Sequence, residues 1–221
     1  MKRTLDLLII LLLCPLLVLI LPLVAIPKAI LDGLPLFYLS ERVGKNEVKF
    51  IVFKFRTMVL DTEIIQNEVA KYTKSGFEAI PLSSCVYTPA GRVFEKLQMV
   101  EIPQLINVLL GQMSFVGYRP LPNSNVSILK SHLGADLIKK RHESIPGITG
   151  FAQLIGKRNL TAFERTNVEI NEGRFFSDSD SLVTKTAMYL YLLFATGMLL
   201  ITNQPPNAIK IYNKYIKNNI D

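Results

Sequence analysis

Residues 7–27 read LLIILLLCPLLVLILPLVAIP and contain no charged side chain. About 20 consecutive apolar residues are enough for a helix to cross a bilayer. Three prolines interrupt this run: Pro15, Pro22 and Pro27. Because proline removes a backbone donor and clashes with the preceding turn, the segment either spans with a kink or enters the bilayer and turns back.

The apolar run is a better match to a retained membrane segment than to a cleaved signal peptide. Lys2 and Arg3 precede it, as in a signal peptide. However, the run exceeds the ~7–15 residues of a signal h-region, and no A-x-A cleavage site follows it. We therefore expect this segment to stay in the membrane.

Composition limits the class of protein. The chain has 221 residues, of which 49% are hydrophobic, and a net charge of +7. This size allows one or two domains, and a basic chain with an apolar N-terminus suits an anionic membrane surface or a phosphate-rich substrate. No basic stripe with interleaved aromatics occurs, so nucleic acid is not expected as a partner. The two cysteines, Cys14 and Cys85, lack metal-ligand spacing and read as thiols of a reducing compartment.

The rest of the chain predicts a mostly helical α+β fold with one short sheet. Residues 36–57 read as two strands around a turn at 43–46. Helices are predicted at 61–74, in the region 91–110 with a start near Val100–Glu101, and at 125–143, whereas 146–159 reads as a Gly/Pro loop.

Two segments near the C-terminus leave alternatives open. Residues 186–204 are uncharged, and could span a membrane, lie buried or lie at the interface. Residues 209–220 alternate apolar and basic side chains, which is typical either of a membrane-surface helix or of an ordinary solvated helix.

Four segments carry a resemblance to a known family. They are residues 37–44 (FYLSERVG), 53–58 (FKFRTM), 101–121 (EIPQLINVLLGQMSFVGYRPL) and 146–153 (PGITGFAQ). In this order they resemble the bacterial sugar transferases, the monotopic phosphoglycosyl transferases that load a phosphosugar onto a polyprenyl phosphate. Any one segment is a weak signal, whereas the ordered set is specific.

The resemblance implies an architecture. In this family an apolar helix breaks at a Ser-Pro pair and re-enters the same leaflet, and Cys14-Pro15 stands at that place here. It implies a re-entrant element at 1–31, a small cytoplasmic α/β domain at 32–185 and interfacial helices at 186–221, on the cytoplasmic face of a bacterial inner membrane. From the residues alone, a kinked spanning helix is equally acceptable.

The resemblance also implies substrates and site residues. The substrates would be a UDP-sugar and undecaprenyl phosphate, with Mg²⁺ held by Glu101. The phosphate-binding side chains would be Arg119, Lys54, Arg56, Arg42 and Lys157. The backbone amides of Gly147, Thr149 and Gly150 would form an anion-binding loop.

Elementary chemistry agrees with several of these roles. Arg119 in a Pro-flanked loop suits a phosphate, and Lys54 and Arg56, two apart on a strand, can point together. The structural alternative is that Lys54 and Arg56 form an exposed strand face and that the glycines only make turns.

The sequence departs from the family where chemistry is concentrated. The family's Asp-Glu pair, whose aspartate attacks the sugar phosphate, corresponds to Val100-Glu101, and valine has no nucleophilic atom. Four other family positions also differ. Two positions that are basic in the family are Glu95 and Ile145 here, a proline position is Tyr118, and an acidic position is Asn171.

Three hypotheses follow. The chain is a transferase of exopolysaccharide, capsule, O-antigen or related glycan assembly that uses Glu101 or direct attack. Alternatively, it is a catalytically inactive homologue, a membrane-bound partner of an active sugar transferase or of another glycan-assembly enzyme. Without the family, the two apolar stretches would suit a small two-span membrane protein with a basic cytoplasmic domain.

Overall fold

A computed structural model describes residues 1–72, 80–156, 159–178, 181–202 and 207–216. The elements, in chain order, are α1 (Lys2–Asp32), β1 (Phe37–Val43), a 3-10 turn (Lys45–Glu47), β2 (Lys49–Phe55), α2 (Thr62–Tyr72), α3 (Pro89–Lys96), a 3-10 segment (Met99–Gln104), α4 (Leu105–Leu109), β3 (Ser114–Val116), α5 (Asn123–Leu133), α6 (Ala135–Arg141), β4 (Gly147–Thr149), α7 (Phe151–Ile155), α8 (Ala162–Asp178), α9 (Leu182–Thr202) and α10 (Ala208–Tyr215). The predicted mostly helical α+β class with a short sheet is confirmed.

The chain forms two compact units, each built from stretches that are separate in the sequence. The larger unit contains Met1–Leu12, Ser40–Val52 and Gln104–Asp221, and the smaller unit contains Leu13–Leu39 and Phe53–Pro103. The polypeptide passes from one unit to the other at four places: within α1, β1, β2 and the 3-10 segment Met99–Gln104. A helix or strand therefore continues through each of these crossings.

The larger unit is built around a short parallel strand pair. Ser114 pairs with Gly147 and Val116 with Thr149. Helix α9 packs on both strands, and α7 packs on α8 and α9. Inward side chains of these helices are almost fully buried: Phe151, Leu154, Val168, Tyr189 and Leu192. Burial of each such side chain contributes roughly 1.5–3 kcal/mol, so this layer holds the strand pair in place.

Backbone packing at the strand pair requires glycine. A Cβ on Gly147 would lie 2.1 Å from the nitrogen of Gly117, and a Cβ on Gly117 would lie 2.4 Å from the carbonyl oxygen of Ile145. The Gly117 amide donates to the Thr149 carbonyl (2.8 Å), and the Gly147 amide donates to the Tyr118 carbonyl (2.8 Å). The two glycines thus permit the close approach of the segments around Arg119 and Gly147.

The smaller unit has an aromatic core. The Phe55 ring stacks on Phe37 at 5.5 Å and meets the edge of Phe94 at 5.1 Å. Val100 completes this cluster, and three side chains from the second half of α1 pack on it: Leu21, Val24 and Ala25. The apolar N-terminal helix therefore provides part of the core as well as an exposed apolar surface.

Several predicted elements are confirmed, with small shifts of their ends. The hairpin expected at 36–57 is β1 and β2, the helix expected at 61–74 is α2, and the region 91–110 contains α3 and α4. A 3-10 segment with Pro103 inside precedes α4, in line with the predicted break. Residues 186–202 of the apolar stretch lie in α9, and residues 209–215 of the predicted tail helix lie in α10. Residues 203–204 and 217–220 lie outside the described residues.

Two predictions were wrong. The helix expected at 125–143 is divided into α5 and α6, because Gly134 adopts φ of 90°, a conformation that ends a helix. The loop expected at 146–159 contains β4 and α7, since its glycines serve strand packing. In addition, α8 was not predicted.

The N-terminal segment is one continuous helix over Lys2–Asp32, with all three prolines inside it. The separate turn expected at Cys14-Pro15 is therefore not seen, although the boundary between the two units falls beside it, at Leu12 and Leu13. Among the described residues, α1 and α9 are long and apolar enough to cross a membrane. Length and composition alone do not distinguish spanning from re-entry, and the re-entrant path stays a prediction.

We expect Gly147→Ala to lower the free energy of unfolding by about 3 kcal/mol, since a methyl group would overlap backbone that cannot move aside. Gly197→Ala is the matched control, because a Cβ there meets no described atom within 4 Å and alanine favours a helix by up to about 1 kcal/mol. Thermal unfolding in detergent compares the two. Equal melting temperatures would contradict the proposed tight packing.

Candidate active site

The predicted acidic ligand lies beside a predicted phosphate-binding lysine. Glu101 is in the 3-10 segment and Lys54 is in β2, and the Lys54 Nζ lies 3.4 Å from the Glu101 Oε1. The Glu101 side chain is 24% exposed and the Lys54 side chain is 19% exposed. Partial burial lets the two opposite charges interact more strongly than on an open surface. The pair thus places one carboxylate and one ammonium together at the positions where the family resemblance expects chemistry.

The neighbouring residue is turned into the core. Val100 is 9% exposed and packs with Phe55 and Phe94. Successive side chains of a 3-10 segment point about 120° apart, so adjacent residues face different surroundings. An aspartate at position 100 would place an ionised group against aromatic rings, which is costly without polar partners. The position expected to carry the nucleophile therefore holds an apolar side chain in an apolar setting.

The guanidinium of Arg56 is bonded to the chain itself, and the phosphate-binding role expected for Arg56 stays a prediction. The side chain is buried, at 7% exposure. Its guanidinium donates to four backbone carbonyls, those of Asp32, Gly33, Pro35 and Met58, at 2.6 to 3.1 Å. These bonds fix the chain where it leaves α1, so Arg56 is a structural residue and does not point together with Lys54.

In the smaller unit, Thr57 and Glu95 form another polar contact that supports the fold. Thr57 Oγ1 donates to Glu95 Oε1 at 2.8 Å. The departure from a basic residue at position 95 therefore has a local explanation: a carboxylate accepts this bond, whereas a basic side chain could not.

Arg119 lies directly after β3 in the larger unit and is partly exposed. Its carbonyl accepts a hydrogen bond from Arg141 Nη2 at 2.7 Å. Tyr118, before it, is almost fully buried, and Pro120 follows it in the sequence. The backbone that carries Arg119 is thus held firmly, as the prediction of a rigid loop requires.

One amide of the predicted anion-binding loop is bonded to the chain itself. The Gly147 amide is bonded to the Tyr118 carbonyl, and the Thr149 carbonyl accepts from Gly117. The amide after Gly150, that of Phe151, donates to Glu172 Oε2 at 2.7 Å. The Gly147 amide is used in strand pairing, and the carboxylate nearest to Gly150 is Glu172. The anion-binding role of Gly147, Thr149 and Gly150 stays a prediction.

Glu172 is fully enclosed and electrostatically unusual. Burial raises its pKa to about 7, while the Lys2 ammonium and the Phe151 amide oppose this increase. The carboxyl group therefore titrates near neutral pH at the end of the PGITG segment.

Two of the remaining predicted phosphate-binding residues belong to the other unit, and the third is Lys157. Arg42 is in β1 and, like Arg119, belongs to the larger unit, whereas Lys54 and Glu101 belong to the smaller unit. Lys157 lies outside the described residues. The roles of Arg42, Lys157 and Arg119 stay predictions.

Glu101 is compatible with a magnesium ligand. Within the described ranges, no group of three or more His, Cys, Asp or Glu side chains is placed to hold a metal. Magnesium, however, is commonly bound through one or two carboxylates together with substrate phosphates. One carboxylate beside a phosphate-binding lysine fits this second arrangement.

Sequence reasoning missed the polar contacts of the first helical turns. Asp6 is buried and accepts from Ser114 Oγ and the Phe115 amide, each at 3.0 Å, and from the Tyr189 hydroxyl. Lys2 donates to the Val116 carbonyl at 3.0 Å. The signal in the sequence was Asp6 itself, a lone carboxylate beside an otherwise uncharged run.

Comparison with known proteins identifies the family. The model of the bacterial sugar transferases matches residues 1–196. The chain belongs to the bacterial sugar transferase family. It is 32% identical over 169 residues to the exopolysaccharide production protein ExoY of Sinorhizobium fredii, which covers 72% of this chain and 71% of ExoY.

Longer relatives match through part of their length. The galactosyl transferase CpsE of Streptococcus agalactiae is 33% identical over 69% of this chain, which spans 34% of CpsE. An undecaprenyl-phosphate glucose phosphotransferase of Komagataeibacter xylinus is 35% identical over 71% of this chain, which spans 28% of that protein. Sugar transferases of this family are membrane-associated, in keeping with the apolar helix α1.

We expect Arg56→Lys to lower the free energy of unfolding by about 3 kcal/mol, because one ammonium cannot satisfy four carbonyls and each buried carbonyl left unpaired costs about 1–3 kcal/mol. Arg92→Lys is the control, since Arg92 is exposed and makes one long bond, 3.4 Å, to the Ser84 carbonyl. Denaturant unfolding measures both variants. Unchanged stability together with weaker UDP binding would support the phosphate role.

The raised pKa of Glu172 predicts a pH dependence of stability. The folded chain holds this proton more tightly than the unfolded chain, whose carboxyl has the ordinary pKa of 4.5. The stabilisation is complete below pH 4.5 and is lost as the pH rises through about 7. Glu172→Gln keeps an acceptor for Phe151, so its melting temperature should fall less than that of the wild type between pH 5 and 8. Glu41→Gln, at an exposed position, should keep the wild-type slope.

Proposed function

We propose that the protein transfers a sugar phosphate from a UDP-sugar to undecaprenyl phosphate, in exopolysaccharide or capsule assembly. The observation that carries this proposal is the Lys54–Glu101 pair, which puts a cation and a carboxylate together at two of the family's motif positions. The names of relatives point the same way. One is an undecaprenyl-phosphate galactose phosphotransferase of Salmonella typhimurium, and another is a UDP-glucose:undecaprenyl-phosphate glucose-1-phosphate transferase of Klebsiella pneumoniae.

The side chains suggest a division of labour. Lys54, in the smaller unit, would neutralise phosphate oxygens through its compact ammonium. Arg119, in the larger unit, would bind phosphate through its planar guanidinium, as the family resemblance implies. Glu101 would hold Mg²⁺, which would neutralise charge on the diphosphate when bound. Glu101 would have to exchange its contact with Lys54 for the metal, so the ion pair keeps both groups in place until substrate arrives.

The missing nucleophile constrains the route of transfer. Val100 cannot form a covalent intermediate. In a direct transfer, an oxygen of undecaprenyl phosphate attacks the phosphorus that bears the sugar. The bond from that phosphorus to the bridging oxygen breaks, and UMP leaves with that oxygen. Without the two-step route, a rate lower by about 10³-fold or more is expected.

The contacts of α1 support a re-entrant path and hence one face of the inner membrane, which we place as the cytoplasmic face. Asp6, near its start, bonds to Ser114 and Phe115, whereas Asp32, at its end, bonds to Thr88 and Ala90. Among the described residues between α1 and α9, no helix is long and apolar enough to cross a membrane. Each end of α1 is thus bonded to folded chain, as a segment that re-enters one leaflet requires.

A second candidate function is a non-catalytic one. Val100 packs into the aromatic core of the smaller unit, which is what a chain without catalytic demand on that position would tolerate. In this case the protein binds its nucleotide-sugar or an active sugar transferase at the membrane and shows no turnover.

Release of UMP tests both candidates. Detergent-solubilised protein is given a panel of UDP-sugars and Mg²⁺, with and without undecaprenyl phosphate. We expect slow release by the wild type only when the lipid is present, since no covalent intermediate can form without it, and no release by Glu101→Gln. UMP formed without the lipid would contradict the direct route and point to another nucleophile.

Val100→Asp, with Val100→Asn as its uncharged isosteric control, separates the candidates. Direct transfer predicts wild-type turnover that either variant changes only through stability. A silent wild type and an active Val100→Asp would mean that the rest of the site is intact and that the natural chain is non-catalytic. Silence of all variants, with UDP still bound, would also favour the non-catalytic function.

A further inference from the structure

The larger unit contains a buried cation that the proposed chemistry does not use. Arg141, at the end of α6, is 1% exposed, and its Nε lies 2.5 Å from Glu169 Oε2 in α8. A buried arginine is tolerated only when its charge is paired and its donors are satisfied. The ion pair explains how Arg141 can be buried, but it uses only one side of the guanidinium.

The other side of the guanidinium holds the loop that carries Arg119. Arg141 Nη2 donates to the Arg119 carbonyl at 2.7 Å, and the guanidinium lies 4.3 Å from the centre of the Tyr118 ring. His142 packs against the same ring at 5.3 Å. One buried cation thus contacts two consecutive residues of the loop, 118 and 119.

The Tyr118 ring, and not its hydroxyl, makes these contacts. The hydroxyl is buried and finds no hydrogen-bond partner within the described ranges. An unpaired buried hydroxyl is unfavourable, so the favourable contribution of Tyr118 comes from its ring, through packing and the cation–π contact. The family resemblance expects proline here. A ring clamped by Arg141 supplies rigidity that proline would supply through its own backbone.

Contacts on both sides fix this loop. The Gly117 amide is bonded to Thr149 before it, and the Val43 amide is bonded to the Leu121 carbonyl after it. Between these two points, the Gly147 amide donates to the Tyr118 carbonyl and Arg141 Nη2 donates to the Arg119 carbonyl. A small shift of that carbonyl would be passed on to the Arg119 side chain.

We propose that Arg141 is a positioning residue for Arg119: by binding its carbonyl and clamping the Tyr118 ring, Arg141 sets the direction in which the Arg119 guanidinium meets the diphosphate. This inference rests on the proposed function, in which Arg119 binds phosphate. Arg141 itself does not touch the substrate.

The test compares UDP binding with stability. Isothermal titration with UDP and Mg²⁺ is carried out on detergent-solubilised full-length protein, at a temperature where every variant is folded. Arg141→Lys keeps a charge for Glu169, but its single ammonium cannot also reach the Arg119 carbonyl and the Tyr118 ring. We expect its UDP affinity to fall about tenfold, as for the loss of one charge-assisted hydrogen bond.

Glu169→Gln is the matched control, because it weakens the ion pair and leaves the Arg141–Arg119 bond in place. It should lower the melting temperature at least as much as Arg141→Lys, with UDP affinity near that of the wild type. Tyr118→Phe should bind UDP normally, whereas Tyr118→Leu, which removes the ring, should lose affinity. If Arg141→Lys does not fold, the two Tyr118 variants carry the test.

Each outcome separates this inference from the function on which it rests. If Arg119→Ala weakens UDP binding while Arg141→Lys and Tyr118→Leu bind as the wild type does, the positioning role is overturned and the proposed function stands. If UDP affinity follows the melting temperature across all variants, Arg141 is only structural. If the wild type does not bind UDP, or Arg119→Ala binds normally, the phosphate role of Arg119 fails and the positioning role with it.

Discussion

The rest of the fold depends on two carboxylates, one near each end of the apolar helix α1, that fix what the ends of this helix contact. Asp6 is fixed by Ser114 and Phe115. Asp32 accepts from Lys28 at 2.6 Å and from Thr88 Oγ1 at 2.7 Å. Buried charges need such partners, so each carboxylate specifies what its end of α1 must contact. Most apolar residues between them are exposed, whereas Leu21, Val24 and Ala25 pack on the aromatic core. Helix α1 therefore combines an exposed apolar surface, long enough to cross a membrane, with structural contacts to folded chain at both ends.

Charged residues in the family's motifs and beside them divide into two kinds, and burial separates them. The Arg56 guanidinium donates to backbone carbonyls, and the Glu172 carboxylate accepts from a backbone amide. The same groups in an open site would bind a phosphate or a cation. Lys54 and Glu101 are only partly buried and face each other across two elements. A charged side chain in a motif thus indicates chemistry only when solvent or substrate can reach it.

Local sequence patterns predicted the helices and strands whose formation depends on residues close together in the chain. The hairpin of β1 and β2 follows from two β-rich runs around a turn, and α9 follows from a long apolar stretch. The pairing of β3 with β4 could not be found this way, because each strand has three residues and the partners are 33 positions apart at Ser114 and Gly147. Likewise, the site residues were identified by resemblance, whereas the structural use of Arg56 depends on carbonyls brought to it by the fold.

Val100 and Glu101 show how one step along the chain can separate packing from chemistry. Glu101 keeps a cationic partner, while Val100 fills an apolar cluster between aromatic rings. An aspartate at position 100 would have to hold its charge against Phe55 and Phe94, at a cost to folding that its chemistry would have to justify. Valine removes that cost and adds buried apolar area. At this position, valine therefore favours stability over covalent chemistry.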